Sequence, residues 1–462
     1  MSQKFENGLF IFRRDLRIID NIGLYSLQKI CKNIYTIFIF TPEQVSSSNS
    51  YKSLNAVQFM IESLQDLANN ISKEGGKLMC FYGDNNKIIH ACINVLKIDV
   101  VCFNLDITPY ARERDNKIAK LCNQMKIHII GAYDYYLFHP GSVMNGTGNA
   151  YQKFTPYYHA CVKRKVDQPL HKKQLSFGKS DLHIANKITL EQAFRKFVGK
   201  ENSNILVNGG RENAVKQILI AGKNIKNYSR TRDELSKPTS QLGAYIKFGC
   251  VSVREIYKIF KSKHEFIRQL IWREFYATVL YFYPHVIGHA MKPKYDKIKW
   301  HHNDRLFNAW KKGTTGIPIL DAAQRQLLQT GWVHNRGRMI SSNILAKIFM
   351  IDWRKGEKFY AQYLVDYDVA NNNGGWQWSS GTGADSQEYW RTFNPFTQAK
   401  EYDPECVYIK TWVPELREID NEIILNWDVE WEKNKNIKYL KPIVDYKTQK
   451  ELAVTMYKDA LY

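Results

Sequence analysis

Five short apolar runs punctuate the first third of the chain: GLFIF (8–12), IYTIFIF (34–40), KLMCFY (77–82), DVVCFN (99–104) and IHII (127–130). Each has the length of a buried strand. Between several of them the spacing of apolar positions becomes helical. In NAVQFMIESLQDLANN (55–70), for example, Val57, Met60, Ile61 and Leu64 fall on one helix face. Strands that alternate with helices need crossover connections, so the pattern predicts an open, parallel, doubly wound α/β sheet of Rossmann-like type. No GxGxxG follows the first run, so the usual dinucleotide fingerprint is missing. Such a sheet is either structural or holds a different ligand at its strand ends.

Residues 131–205 mix Gly and Pro with a basic run, CVKRKVDQPLHKKQLSFGK (161–179), and read as a long connection. From about residue 206 helical patterns dominate, among them AVKQILIAGKNI, HEFIRQLIWREFYATVLYFY and PILDAAQRQLLQ. The expected organisation is an α/β domain over 1–131, a linker over 132–205 and an all-α domain over 206–462. All 11 tryptophans lie in that last part, from Trp272 onward.

Charge changes this picture. Lys and Arg number 66 against 45 Asp and Glu, a net charge of +21. The excess is either a solvated basic surface or the footprint of a polyanion, of which nucleic acid is the commonest. The eight cysteines are scattered, with no CxxC and no Cys/His cluster, so neither a metal site nor a disulfide framework is expected. The N-terminus lacks a signal-peptide layout, and no apolar run approaches the roughly 18 residues of a membrane helix. An intracellular soluble protein, cytoplasmic or nuclear, is expected.

Several helical stretches place polar groups together. In RQLIWREFYATVL, Gln269, Trp272, Arg273 and Tyr276 share one face, opposite Ile267, Leu270, Ile271 and Phe275. In GWVHNRGRMISSNILAKIFMIDWRKGEKF (331–359), Asn335, Arg338 and Met339 share another. His334 stands alone there and reads as structural rather than metal-ligating. Arg336 and Arg354 suit phosphates or plain solvated charge. In LVDYDVANNNGGWQWSSGTGAD, Asp366 and Asp368 could do acid–base work, neutralise arginines or bind a ribose or purine. The Trp and Gly residues that follow suit a stacking surface for a base or a flavin. Thr239 and Ser240, in a polar turn that enters a helix, suit phosphate capture.

These segments resemble the DNA photolyase/cryptochrome family, most of all its cyclobutane pyrimidine dimer photolyases. The resemblance rests on FRRDLRIIDN, TSQLGAYIKFGCVS, WREFY, GIPILDAAQRQLLQTGWVHNRGRM, IDWRKGE and DYDVANNNGGWQW, in order and along essentially the whole chain. It implies an antenna domain, a linker and a helical domain that holds FAD. By motif position, Tyr228 and the turn Thr239, Ser240, Gln241, Leu242 and Gly243 would hold the pyrophosphate and its surroundings. Arg273 would also touch the cofactor, Arg338 would pair with Asp366, Asp368 would face the adenosine or flavin edge, and Asn372 would face flavin N5. Gly374 and Gly375 would let the backbone pass close to the flavin.

The family's electron relay falls on Trp376, Trp353 and Trp300. Gln269 and Asn335 would stand at the lesion with Trp272, Met339 and the stacking residue Trp378, and Arg232, Arg336 and Arg391 would grip the backbone of UV-damaged DNA. The implied chemistry is blue-light-driven splitting of a flipped-out cyclobutane dimer by an electron from reduced FAD. Asn335 and Met339 match the cyclobutane enzymes, whereas Gln269 replaces their usual Glu and is more familiar from (6-4) photolyases. A (6-4) photolyase and a cryptochrome photoreceptor are therefore the alternatives. A second antenna chromophore of folate or deazaflavin type, another flavin, or none would occupy the first domain. PHVIGHAMKPKYDK (284–297) departs from the folate-binding pattern. A monomer is expected.

Overall fold

The computed structural model describes residues 4–179 and 183–461. Each of the five apolar runs forms a strand: β1 (Phe5–Phe12), β2 (Cys31–Phe40), β3 (Leu78–Tyr82), β4 (Val100–Asn104) and β5 (His128–Ala132). All pair in parallel in the order β3-β2-β1-β4-β5, with β1 at the centre, where Phe10 stands opposite Thr36 on one side and Cys102 on the other. Alternation along each strand feeds two cores. Phe10, Phe12, Phe38 and Phe40 pack with helices Ile22–Gln28 and Leu54–Lys73. Leu9, Ile11, Ile37 and Ile39 pack with helices Asn85–Leu96 and Pro109–Gln124 on the other face.

The helix starts follow from local chemistry. Ser53, Asp84 and Thr108 each accept a hydrogen bond from a backbone N–H of the first turn that would otherwise be unpaired. Beyond Ala132 no strand occurs among the described residues, only two isolated bridges, Ile34 with Phe177 and Phe81 with Lys187. The segment read as a connection carries two helices of its own, Phe154–Val162 and Leu190–Phe197. Phe154 lies flat on Trp272, with ring centroids 3.7 Å apart at 5°, so the connection is part of the packed structure.

The first of the two cores runs without a break from the sheet into the helical half, joining Phe10 and Phe59 to Phe248, Ile271 and Phe275. A buried ionic network crosses the same boundary. Arg17 meets Asp134 at 2.6 Å, and Arg254 meets Asp134 at 2.8 Å and Asp20 at 3.2 Å. Leu170 N–H donates to Asp20 at 2.8 Å, and Ser252 donates to it as well. Burial works to raise the Asp134 pKa, yet Arg17 and Arg254 bring it below the usual carboxylate range. Removing one member leaves buried charge uncompensated. Arg254→Met is expected to lower the unfolding free energy by about 3–5 kcal/mol in urea denaturation; a loss below ~1 kcal/mol would mean that water already screens the network.

Candidate functional site

The helix His264–Phe282 divides its faces as its spacing predicts. Ile267, Leu270, Ile271 and Phe275 are in the core, while Gln269, Trp272, Arg273 and Tyr276 line a cavity of about 490 Å³. Arg273 is held in place from the connection, donating to the Tyr135 carbonyl at 2.8 Å and to Glu274 at 3.0 Å. Glu274 also accepts from the Leu137 N–H at 2.9 Å, and burial pushes its carboxyl up to about 7 despite the opposing Arg273 charge.

A second wall comes from the helix Asn335–Lys347. His334 is its N-cap, its Nδ1 accepting from the Arg336 N–H at 3.1 Å, and burial pushes the imidazole down to about 4. The structural reading of His334 therefore fits its position. Asn335, Arg338 and Met339 face the cavity together. Arg338 reaches Asp366 at 2.9 Å, as the resemblance implies. Arg336 is paired with Asp233 at 2.8 Å and lies over the Tyr402 ring at 3.9 Å, and Arg232 stands 3.7 Å from the same carboxylate.

The third wall is the helix Val369–Ser380. Asp368 caps it, accepting from the Asn371 N–H at 3.0 Å, and also meets Arg14 of the loop after β1 at 3.1 Å. Burial alone would raise this carboxyl, but Arg14, Arg273 and Asn371 bring it down to about 2. Asn372 donates to the carbonyl of Glu357 at 3.0 Å and to its carboxyl at 3.1 Å. The two glycines differ. Gly375 opens on the cavity, with no atom beyond its own stretch of helix within 4 Å of where a Cβ would stand, whereas a Cβ on Gly374 would strike the Tyr276 ring. Only Gly375 thus offers the close backbone approach expected of the pair.

Of the residues singled out in the sequence, one cavity collects Gln269, Trp272, Arg273, Asn335, Arg338, Met339, Asp366, Asp368, Asn372, Trp376, Trp378, Arg232 and Arg336. Tyr228, Thr239, Ser240, Gln241 and Leu242 stand outside its walls. Tyr228 packs edge-on against Phe266, the Ser240 carbonyl accepts from Gln217, and Gly243 lies against Asp366. Arg391 is exposed on the segment that follows the third helix. Trp353 is buried, and the next turn of its helix packs Gly356 against the Trp376 ring. Trp300 stands edge-on to Tyr457 with centroids 5.9 Å apart.

Asp233, Glu357 and Trp310 were missed. Trp310 is wholly buried, 6.0 Å from Trp376, and reads in sequence as one more core aromatic. Asp233 sits in the charged run RTRDE, where only its pairing with distant Arg336 distinguishes it. Among the described residues no group of His, Cys, Asp and Glu could hold a metal ion, and no helix is long and apolar enough to cross a membrane.

A second cavity, of about 570 Å³, opens beyond the C-terminal ends of β1 and β2, where open parallel sheets place ligands. Arg13, Arg14, Tyr110, Lys247, Glu357 and Asp368 are among its walls, so Asp368 touches both cavities and Glu357 joins the second to Asn372 of the first. Burial pushes the Lys247 amine down to about 8.

Two family models match this chain: "DNA photolyase" over residues 9–174 and "FAD binding domain of DNA photolyase" over 266–459. A Synechococcus sp. protein named "Deoxyribodipyrimidine photo-lyase" is 32% identical over 445 residues, 91% of this chain and 90% of that protein. The chain belongs to the DNA photolyase family. Its fold matches an archaeal photolyase from Sulfolobus tokodaii, described with two FAD molecules, at 35% identity and a TM-score of 0.88, over 98% of this chain and 100% of that one. It also matches a class III photolyase from Agrobacterium tumefaciens at 27% identity and a TM-score of 0.90, over 100% and 98%.

This photolyase binds FAD, and the cavity is built for such a group. Guanidinium groups suit a pyrophosphate, the Gly375 backbone admits a flat ring, and Trp376 and Tyr360 bound an apolar side.

The Glu357 carboxyl carries a pH signature. Burial raises it to about 7, opposed by its hydrogen bonds to Asn372 and Tyr51. A raised folded-state pKa stabilises the fold below the unfolded value and loses that contribution as pH rises through 7. The stability difference between the native protein and Glu357→Gln should therefore shrink between pH 4.5 and 8 by on the order of 3 kcal/mol, since each tenfold change in proton affinity is worth about 1.4 kcal/mol. Urea unfolding at several pH values measures this, and a constant difference would contradict it.

Proposed function

We propose that this photolyase splits cyclobutane pyrimidine dimers in DNA under blue light. The observation that carries the reading is one cavity in which aromatic and amide groups suited to a damaged base pair meet guanidinium and carboxylate groups suited to a dinucleotide. Trp272 and Trp378 offer flat faces for stacking on the lesion. Gln269 and Asn335 donate amide hydrogen bonds to its carbonyls, and neither can supply a proton, which ring splitting by electron transfer does not need. The lesion reaches the cavity by leaving the stack, as in other enzymes that act on extruded bases, photolyases included. Arg232, Arg336 and Arg391 take the phosphates on either side, in keeping with the charge of +21.

When bound, reduced FAD supplies the light-excited electron that opens the cyclobutane ring and receives it back. Arg273, Asp368, Asn372 and the Arg338–Asp366 pair would hold that cofactor, and the family motif assigns its pyrophosphate to Tyr228 and the Thr239–Gly243 turn beside the cavity. The Arg338–Asp366 contact supports this, since Asp366 and the Val333 carbonyl fix the guanidinium at the cavity wall. Trp376, Trp353 and Trp300 offer oxidisable rings for an electron to reach the cavity from outside. The second cavity, with its cations and aromatic rings, takes a flat light-collecting chromophore. The second FAD of the Sulfolobus tokodaii relative supports such a use.

The test is repair of two defined oligonucleotides under blue light. Restoration of a cyclobutane thymine dimer, with a (6-4) photoproduct left intact, is the expected result. Repair of the (6-4) lesion alone would favour the reading that Gln269 suggests. Failure on both, with flavin bound and reduced, would favour a photoreceptor.

A further inference from the structure

Lys347 closes the Asn335–Lys347 helix with a wholly buried side chain. Its ammonium makes no ion pair among the described residues. It donates instead to two backbone carbonyls, those of Glu388 at 2.8 Å and Arg391 at 3.1 Å. Burial pushes the amine down to about 7, with Glu388 opposing the change and Arg391 adding to it. An apolar side chain of equal length would avoid that cost. The amine is kept for what it holds.

What it holds is a short surface segment beside the cavity. The Gln387 N–H donates to the carbonyl of Trp378, a residue of the cavity wall, at 3.2 Å. At the far end the Phe393 N–H donates to Asn343 at 2.9 Å. Tyr389 turns inward and stacks on Tyr457, with centroids 5.9 Å apart at 11°. Between these anchors Glu388, Trp390 (52% exposed) and Arg391 face out, the last two side by side. An outward indole beside an outward guanidinium suits a base face and a phosphate.

We propose that Lys347 is a positioning residue for DNA binding, pinning the Glu388 and Arg391 carbonyls so that Trp390 and Arg391 are presented to the nucleic acid next to the cavity. The inference rests on the repair function argued above. No contact between Lys347 and DNA or cofactor is involved.

The test uses the full-length, FAD-loaded protein and a duplex that carries one cyclobutane thymine dimer. Lys347→Met keeps most of the side-chain length and removes the donors. Its Kd for the lesion duplex should rise about tenfold, the effect of orphaning half-buried carbonyls on a binding loop. Flavin absorption and the light-driven rate at saturating DNA should stay at native values. Arg391→Ala should weaken the native protein but add little to Lys347→Met, because both substitutions disable one segment. An unchanged Kd, or full additivity, overturns the proposal. A parallel loss of flavin and of turnover also overturns it, since Lys347 would then serve the fold at large. Should Lys347→Met not fold, Lys347→Gln, which keeps an amide donor, is read by the same criteria with a smaller rise. If the native protein itself fails to prefer the lesion duplex, the repair reading falls first, and the role of Lys347 falls with it.

Discussion

Asp368 is a buried carboxylate that must satisfy three demands at once. It caps the helix that carries Asn372, Trp376 and Trp378, it neutralises Arg14 from the loop after β1, and it lines both cavities. A charge so placed is tolerable only because a guanidinium and several N–H groups take the place of water. The low pKa of this carboxyl, about 2, shows how completely they do so. The arrangement couples the halves of the molecule: the carboxylate that lines the cavity of the helical half is neutralised by Arg14 from the loop after β1. The Arg17, Arg254, Asp20 and Asp134 network repeats the principle farther from the site.

The crowding of tryptophan into the helical half follows from several different uses of one ring. Trp272 and Trp378 line the cavity and offer flat faces, Trp272 already stacked on Phe154 from behind. Trp376 lines it as well, Trp353 is buried and Trp300 stands edge-on to Tyr457, the three rings of the proposed relay. Trp310 and Trp427 are core residues whose indole N–H groups find the carbonyls of Ser341 and Leu440. Trp390 faces outward, on a loop fastened from within.

Much of this was legible in the sequence because it is local. Alternation within β1 and β2 reports which residues face each side of the sheet, and three- and four-residue spacing brings Gln269, Trp272 and Arg273 to one cavity. The missing parts are contacts between residues far apart in the chain. Nothing near Asp233 announces Arg336, nothing near Glu357 announces Asn372, and Lys347 reads as an ordinary surface lysine at a helix end. The Gly374–Gly375 pair looks uniform as letters, yet one glycine makes room for Tyr276 and the other opens on the cavity. The helices of the connection escaped notice because they are short, nine and eight residues.

The central claim is that one cavity receives both the flavin and the extruded lesion. A crystal structure of the FAD-loaded protein with a duplex that contains a cyclobutane thymine dimer tests it most directly. The account predicts the dimer out of the helix, against Trp378 and Trp272 and within hydrogen-bond reach of Asn335, with the flavin beside Asn372 and the Arg338–Asp366 pair. A dimer still stacked in the duplex, or a flavin bound only in the second cavity, would contradict it.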